Sequence, residues 1–270
     1  MIALFDSGVG GLTVLREVRK LLPEYDYAYF GDTARVPYGG RSQETIYSYV
    51  TEALEFLAGK GAKLVILACN TASAEALRRI QQEWVPATHP DMKVLGVLIP
   101  TAEEAVQRTV TGRIGVIATR STVASKAYDR EILKLLPEAQ VTSQACPLLV
   151  PLIEEGWAGK PETRMVLKKY LRPLKSHNVD TLILGCTHYP FVQRDIERIM
   201  GKNCTVIPSS TATAQRLKEY VDRHPEVEQT CTKNGSMCYF VTDDAVRFEE
   251  LGKTVFEMDI RKNDVERVTL

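Results

Sequence analysis

Short, largely apolar runs recur from one end of this 270-residue chain to the other, with helical patterns between them. The runs are Ile2 to Phe5, Tyr25 to Phe30, Leu64 to Ala68, Val94 to Leu98, Ile114 to Ala118, Val141 to Ala145, Leu182 to Leu184 and Val206 to Ile207. Between them Ile46, Val50, Ala53, Leu54 and Leu57 repeat at the spacing of one helix face, and Ile132, Leu133, Leu135 and Leu136 do so in part. Pro23, Gly59, Gly61 and Pro137 stop helices where connections should begin. A strand with continuous rather than alternating hydrophobicity is covered on both faces. Parallel sheets impose this, because their crossover helices lie on both sides. The pattern therefore predicts an α/β fold with mainly parallel sheets.

A weak internal repeat refines that expectation. Lys63-Leu-Val-Ile-Leu-Ala-Cys-Asn-Thr-Ala resembles Asp180-Thr-Leu-Ile-Leu-Gly-Cys-Thr-His-Tyr. Each is an apolar strand, a small residue, a cysteine and then polar residues opening a helix. The reading is two similar, pseudo-symmetric α/β domains. Residues 1–97 with 208–270 form the first, residues 98–207 the second, and the site lies in the cleft between them. Side chains at the carboxyl end of a parallel strand face the ligand crevice, so Cys69 and Cys186 should both do so.

Charge and cysteine usage remove other classes. Thirty-four basic residues balance 34 acidic ones, which leaves no basic footprint for nucleic acid. The apolar runs are too short to cross a bilayer. Asp6 and the glycines at 8, 10 and 11 interrupt the apolar start, so no signal peptide is read and a cytosolic address is expected. Six cysteines in that compartment argue for free thiols rather than a disulfide framework. No CxxC pair occurs, and Cys186-Thr-His188 supplies two ligands where a structural zinc needs four, so no metal is expected. Cys146, Cys204, Cys231 and Cys238 fit no motif and read as packing or surface residues. His89, His177 and His224 read as solvated, and Trp84 and Trp157 as packing or interface residues.

Three segments carry chemistry. Asp6-Ser7-Gly8-Val9-Gly10-Gly11 follows a strand and precedes a helix, but it is neither a dinucleotide fingerprint nor a P-loop. It is either a carboxylate-binding turn with Asp6 in the crevice, or a tight turn that needs glycine for its backbone angles while Asp6 caps the helix. Cys69-Asn70-Thr71 and Cys186-Thr187-His188 each place a thiol at a strand-to-helix junction, where the local positive potential favours a thiolate. A lone cysteine there is more often filler. Two in equivalent positions of a repeat reverse that reading.

Nucleophilic catalysis needs only one thiol. Stereoinversion at an amino-acid α-carbon needs two groups, one to remove the proton and one to deliver a proton to the opposite face. No pyridoxal-lysine motif offers an electron sink. Hydrogen bonds to the substrate carboxylate from Ser7, Asn70, Thr71 and Thr187 would have to stabilise the carbanion, with Asp6, Glu154 and His188 adjusting the thiols.

The sequence resembles the glutamate racemase family within the aspartate/glutamate racemase superfamily. The resemblance rests on Phe-Asp-Ser-Gly-Val-Gly-Gly-Leu at 5–12, Gly-Asp-Thr-Ala at 31–34, Val-Pro-Tyr-Gly at 36–39, Ala-Cys-Asn-Thr-Ala at 68–72 and Gly-Cys-Thr-His-Tyr-Pro at 185–190. It implies reversible conversion of L-glutamate to D-glutamate without pyridoxal phosphate, metal or nucleotide, supplying D-glutamate for peptidoglycan. It also implies two α/β domains, commonly in homodimers. The thiol matching Cys69 acts on D-glutamate and that matching Cys186 on L-glutamate. Asp6 partners Cys69, while Glu154 (chosen over its neighbour Glu155) and His188 partner Cys186. Substrate contacts carry over to Asp6, Ser7, Tyr38, Gly39, Asn70, Thr71, Thr119, Thr187 and His188. Tyr38 either closes over substrate or is a packed loop aromatic. Starting almost at the first motif, the chain is expected to lack the N-terminal extension of some members.

One departure stands out. Members often carry an acidic residue where this chain has Pro208, Ser209 and Ser210, and here Ser210 or Thr211 is read as a helix cap. Two rival functions remain at this level. One is a racemase of aspartate or another small acidic amino acid, since a methylene is weakly discriminated. The other is a binding protein that holds an amino acid unchanged.

Overall fold

A computed structural model describes residues 1–261 and 264–270. Ten strands form two sheets: β1 (Ile2–Asp6), β2 (Tyr27–Gly31), β3 (Leu64–Leu67), β4 (Lys93–Gly96), β5 (Arg113–Ala118), β6 (Gln140–Ala145), β7 (Thr181–Gly185), β8 (Thr205–Pro208), β9 (Met237–Val241) and β10 (Val265–Arg267). The first sheet has the order β10-β9-β2-β1-β3-β4 and the second β6-β5-β7-β8, and every recorded pairing is parallel. The order β2-β1-β3-β4 in one sheet is repeated as β6-β5-β7-β8 in the other. Cys69 and Cys186 therefore follow equivalent strands, β3 and β7.

Continuous hydrophobicity has the consequence expected of it. All five residues of β1 are buried. Ile2 and Leu4 enter one core cluster with Leu12, Leu15 and Leu217, while Ala3 and Phe5 enter another with Ile46, Val50 and Leu54 on the opposite face. Each fully buried aliphatic side chain contributes about 1.5–3 kcal/mol. The second sheet is likewise covered on both faces. The helix Gln43–Gly59 buries the residues read at helical spacing, with Ser42 as its cap accepting from the Thr45 N–H.

Some boundaries differ from expectation. The second strand starts at Tyr27, because the Asp26 carboxylate instead accepts bonds from Asn234 and Ser236. Leu98 opens the helix Leu98–Arg108 rather than closing β4. The strand β9 was not read from the sequence, although Met237-Cys-Tyr-Phe-Val is as apolar as the others; it lies beside β2 with Tyr29 opposite Tyr239. The three-residue edge strand β10 carries Glu266 and Arg267 and offers no such signal. The helix Ser209–Arg223 begins after Pro208 with no side-chain cap; Thr211 Oγ1 donates to the Pro208 carbonyl instead of capping, and Ser210 does not cap either.

Candidate active site

Cys69 is set by the end of β3 and the start of the helix Asn70–Glu75, for which it is the N-cap. Its sulfur accepts from the Ala72 N–H at 3.4 Å and lies 3.5 Å from the Ser7 hydroxyl. Asp6, at the end of the adjacent strand β1, is 1% exposed. One carboxylate oxygen accepts from the Gly8 N–H at 3.0 Å, and the other is buried with no hydrogen-bond partner among the described residues. Burial holds the Asp6 carboxyl above the usual range, against the nearby His188 cation and the loop N–H groups that favour its ionised form. Burial, then Asp6, pushes the Cys69 thiol up to about 12. The helix start was expected to favour a thiolate here. The Ala72 N–H does act in that direction, but desolvation of a buried sulfur beside a carboxyl outweighs it.

The second thiol has a different environment. Cys186 Sγ lies 3.9 Å from His188 Nδ1, and His188 Nε2 is 2.9 Å from Glu154 Oε1. Burial opposes the charge on His188, yet its bonds to Cys186 and Glu154 raise it to about 10. An imidazolium thus stands between a thiol and a carboxylate. Glu154 ends the short helix Leu149–Glu154, whereas Glu155 is exposed and lies near Arg247.

Both thiols line one cavity of about 390 Å³ between the sheets, within the range of small-molecule sites. Ser7, Tyr38, Gly39, Asn70, Thr71, Thr119, Glu154, Thr187 and His188 line it as well. Asp6 is not in the lining and reaches the cavity through Cys69 and Ser7. Across the cleft, the Thr71 and Thr119 hydroxyls meet at 2.9 Å, and Thr13 Oγ1 donates to the Thr187 carbonyl at 2.9 Å. The glycine-rich turn makes this closeness possible. A Cβ on Gly10 would fall 2.2 Å from Thr187 Oγ1 and 2.5 Å from His188 Cε1. Gly8, Gly10 and Gly11 have no positive φ. They serve close approach rather than backbone angles, and Asp6 holds the turn instead of capping the helix Leu12–Leu21.

Tyr38 is both a lining residue and a packed aromatic. It is buried against Phe5 and Tyr49, and its hydroxyl donates to the buried carboxylate of Asp32, which Arg35 and Thr242 also hold. Cys146, read as packing, proves to line the cavity together with Val150 and Arg120. Its place just after β6, which adjoins β5 in the second sheet, is the signal that could have found it. Cys204 and Cys231 pack in cores away from the cleft. His89 and His224 bond to Glu55 and Glu226, and His177 to the Pro173 carbonyl. Among the described residues no three His, Cys, Asp or Glu side chains gather as a metal-ligand set, and no helix is long and apolar enough to cross a membrane.

Comparison with known proteins follows this geometry. Residues 12–217 match the family described as Asp/Glu/Hydantoin racemase. The glutamate racemase of Geobacter metallireducens is 44% identical over 251 residues, covering 93% of this chain and 90% of that protein. Glutamate racemase isoform RacE1 from Bacillus anthracis superposes with a TM-score of 0.90 at 35% identity, covering 100% of this chain and 97% of that one. The glutamate racemase of Francisella tularensis, solved in complex with D-glutamate, gives a TM-score of 0.88 at 33% identity, with 99% and 97% covered.

Proposed function

The chain belongs to the Asp/Glu/hydantoin racemase family, and we propose that it interconverts L- and D-glutamate by a cofactor-independent, two-thiol mechanism. One observation carries the reading: the residues following equivalent strands of two equivalent sheets are both cysteines, and both line the same cavity.

In the proposed reaction L-glutamate binds with its α-carbon between the sulfurs. Cys186 removes the α-proton, with the His188 cation and Glu154 beside it, and Cys69 delivers its proton to the opposite face. A thiol held at about 12 rests in the protonated form, which is the form this direction needs. From D-glutamate the roles exchange, and Asp6 is the group placed to influence the Cys69 proton. Hydroxyl and amide groups of Ser7, Asn70, Thr71, Thr119 and Thr187, with the backbone at Gly39, are assigned to the substrate's carboxylates and ammonium. Preorganised donors of this kind stabilise the carbanionic transition state more than the ground state.

The division into 1–97 plus 208–270 and 98–207 is proposed from sheet membership, since β1–β4, β9 and β10 share one sheet and β5–β8 the other. A cytosolic homodimer supplying D-glutamate to peptidoglycan synthesis completes the proposal; family resemblance supports it.

Circular dichroism of L-glutamate incubated with the protein tests the function. Decay of the signal to zero is expected, and a signal that persists rejects racemisation in favour of a binding protein. Turnover of L-aspartate at a rate above that of L-glutamate would move the substrate assignment.

A further inference from the structure

Both passages of the chain between the sheets converge on one amide. Asn70, the first residue of the helix after β3, is 2% exposed. Its Oδ1 accepts from the Tyr128 hydroxyl at 2.6 Å, and its Nδ2 donates to Ser209 Oγ at 3.2 Å. Tyr128 lies on the helix Ala127–Leu135 against the second sheet, in a cluster with Val97, Leu98 and Ile207. Ser209 opens the helix by which the chain returns to the first sheet. On the outgoing passage, the Thr101 hydroxyl donates to the Val97 carbonyl at 2.5 Å and stands beside the same phenol. Tyr128, Ser209 and Thr101 are all buried.

An amide has two N–H donors and two acceptor lone pairs, and a carboxylate can only accept. An Asn70 that turned its oxygen to a substrate carboxylate would repel it. The Tyr128 hydroxyl holds Oδ1 and Ser209 takes one N–H, which leaves the second N–H for a ligand. These partners come from the far side of the cleft and from the return passage. Movement about either passage stretches the bonds that orient the amide.

We infer that Tyr128 and Ser209 are positioning residues that set the Asn70 amide with its N–H toward the substrate carboxylate, and that they tie this orientation to the mutual position of the two halves. The inference rests on the proposed racemase reading, in which Asn70 contacts substrate.

Tyr128→Phe keeps the ring in the core and deletes the hydroxyl. Calorimetric Kd for D-glutamate and KM for both enantiomers are expected to rise about threefold to tenfold, with kcat within about twofold of wild type, because a contact made equally in ground and transition states changes binding alone. Ser209→Ala shifts Kd in the same direction and serves if the tyrosine variant does not fold. In an Asn70→Ala background Tyr128→Phe should add no further loss, since both changes remove the same contact. Unchanged Kd and KM in Tyr128→Phe, a fall in kcat alone, or multiplying effects in the double variant would each overturn the inference. Because Kd is read without turnover, wild type that binds D-glutamate but does not racemise it defeats the racemase reading while the positioning role is still decided. Wild type that fails to bind defeats both.

Discussion

Replacing Glu154 by glutamine asks whether the His188 cation is held by its carboxylate partner. His188 is buried, yet it is raised to about 10 because its bonds to Cys186 and Glu154 outweigh the loss of solvation. A hydrogen bond to a charged group contributes about 1.5–3 kcal/mol, and one pH unit corresponds to about 1.4 kcal/mol. Loss of the carboxylate should therefore bring the imidazolium from about 10 to about 8–9. Partial exposure of Glu154, at 25%, favours the smaller change. A folded-state value above the unfolded one of about 6.5 means stabilisation that is fully present below about pH 6.5 and lost as pH rises through the folded value. In wild type that loss falls near pH 10; in Glu154→Gln it falls near pH 8–9. Urea midpoints measured from pH 6 to 10.5 read this directly. Racemisation in both directions gives a second reading. Enantiomers have equal free energies in water, so kcat/KM must be equal from L- and D-glutamate in wild type and variant alike. Any displaced pH limb must then be displaced in both directions. Urea profiles that fall at the same pH in the two proteins would refute the assignment of the His188 charge to Glu154.

Two further substitutions probe the thiols and the cleft. Cys69→Ser and Cys186→Ser should each lower racemisation by about 10²–10⁴-fold, since each removes one member of the acid–base pair; near-normal turnover by either removes that thiol from the mechanism. Gly10→Ala places a methyl group against Thr187 and His188. It should cost about 1–3 kcal/mol of stability and lower kcat more than tenfold, read by a thermal melt and the rate of circular dichroism decay. A silent Gly10→Ala variant would show that the turn does not position His188.

The legible part of the molecule was the part built from local pattern. Ile2 to Phe5, Leu64 to Ala68 and Ile114 to Ala118 read as strands because burial on both faces leaves no polar position to break the run. The repeat around Cys69 and Cys186 pointed to two equivalent strands because the strand-to-helix junction is a local feature. What stayed hidden depended on distant residues. Gly10 looked like a turn glycine, and only the proximity of Thr187 and His188 shows that it is needed for clearance. The resting state of Cys69 was misjudged because the helix start is visible in sequence, whereas burial beside Asp6 is a tertiary property. Cys146 reaches the cavity through the order of the second sheet, which no motif records.

The most direct test of two thiols acting from opposite faces is the fate of the α-hydrogen in heavy water. L-Glutamate is converted in deuterium oxide to a few per cent, and both enantiomers are separated and examined by mass spectrometry. Two independent thiols predict D-glutamate that carries deuterium at the α-carbon while the remaining L-glutamate still carries hydrogen. D-Glutamate that keeps the original hydrogen would contradict the account, because a single group would then have carried the proton from one face to the other.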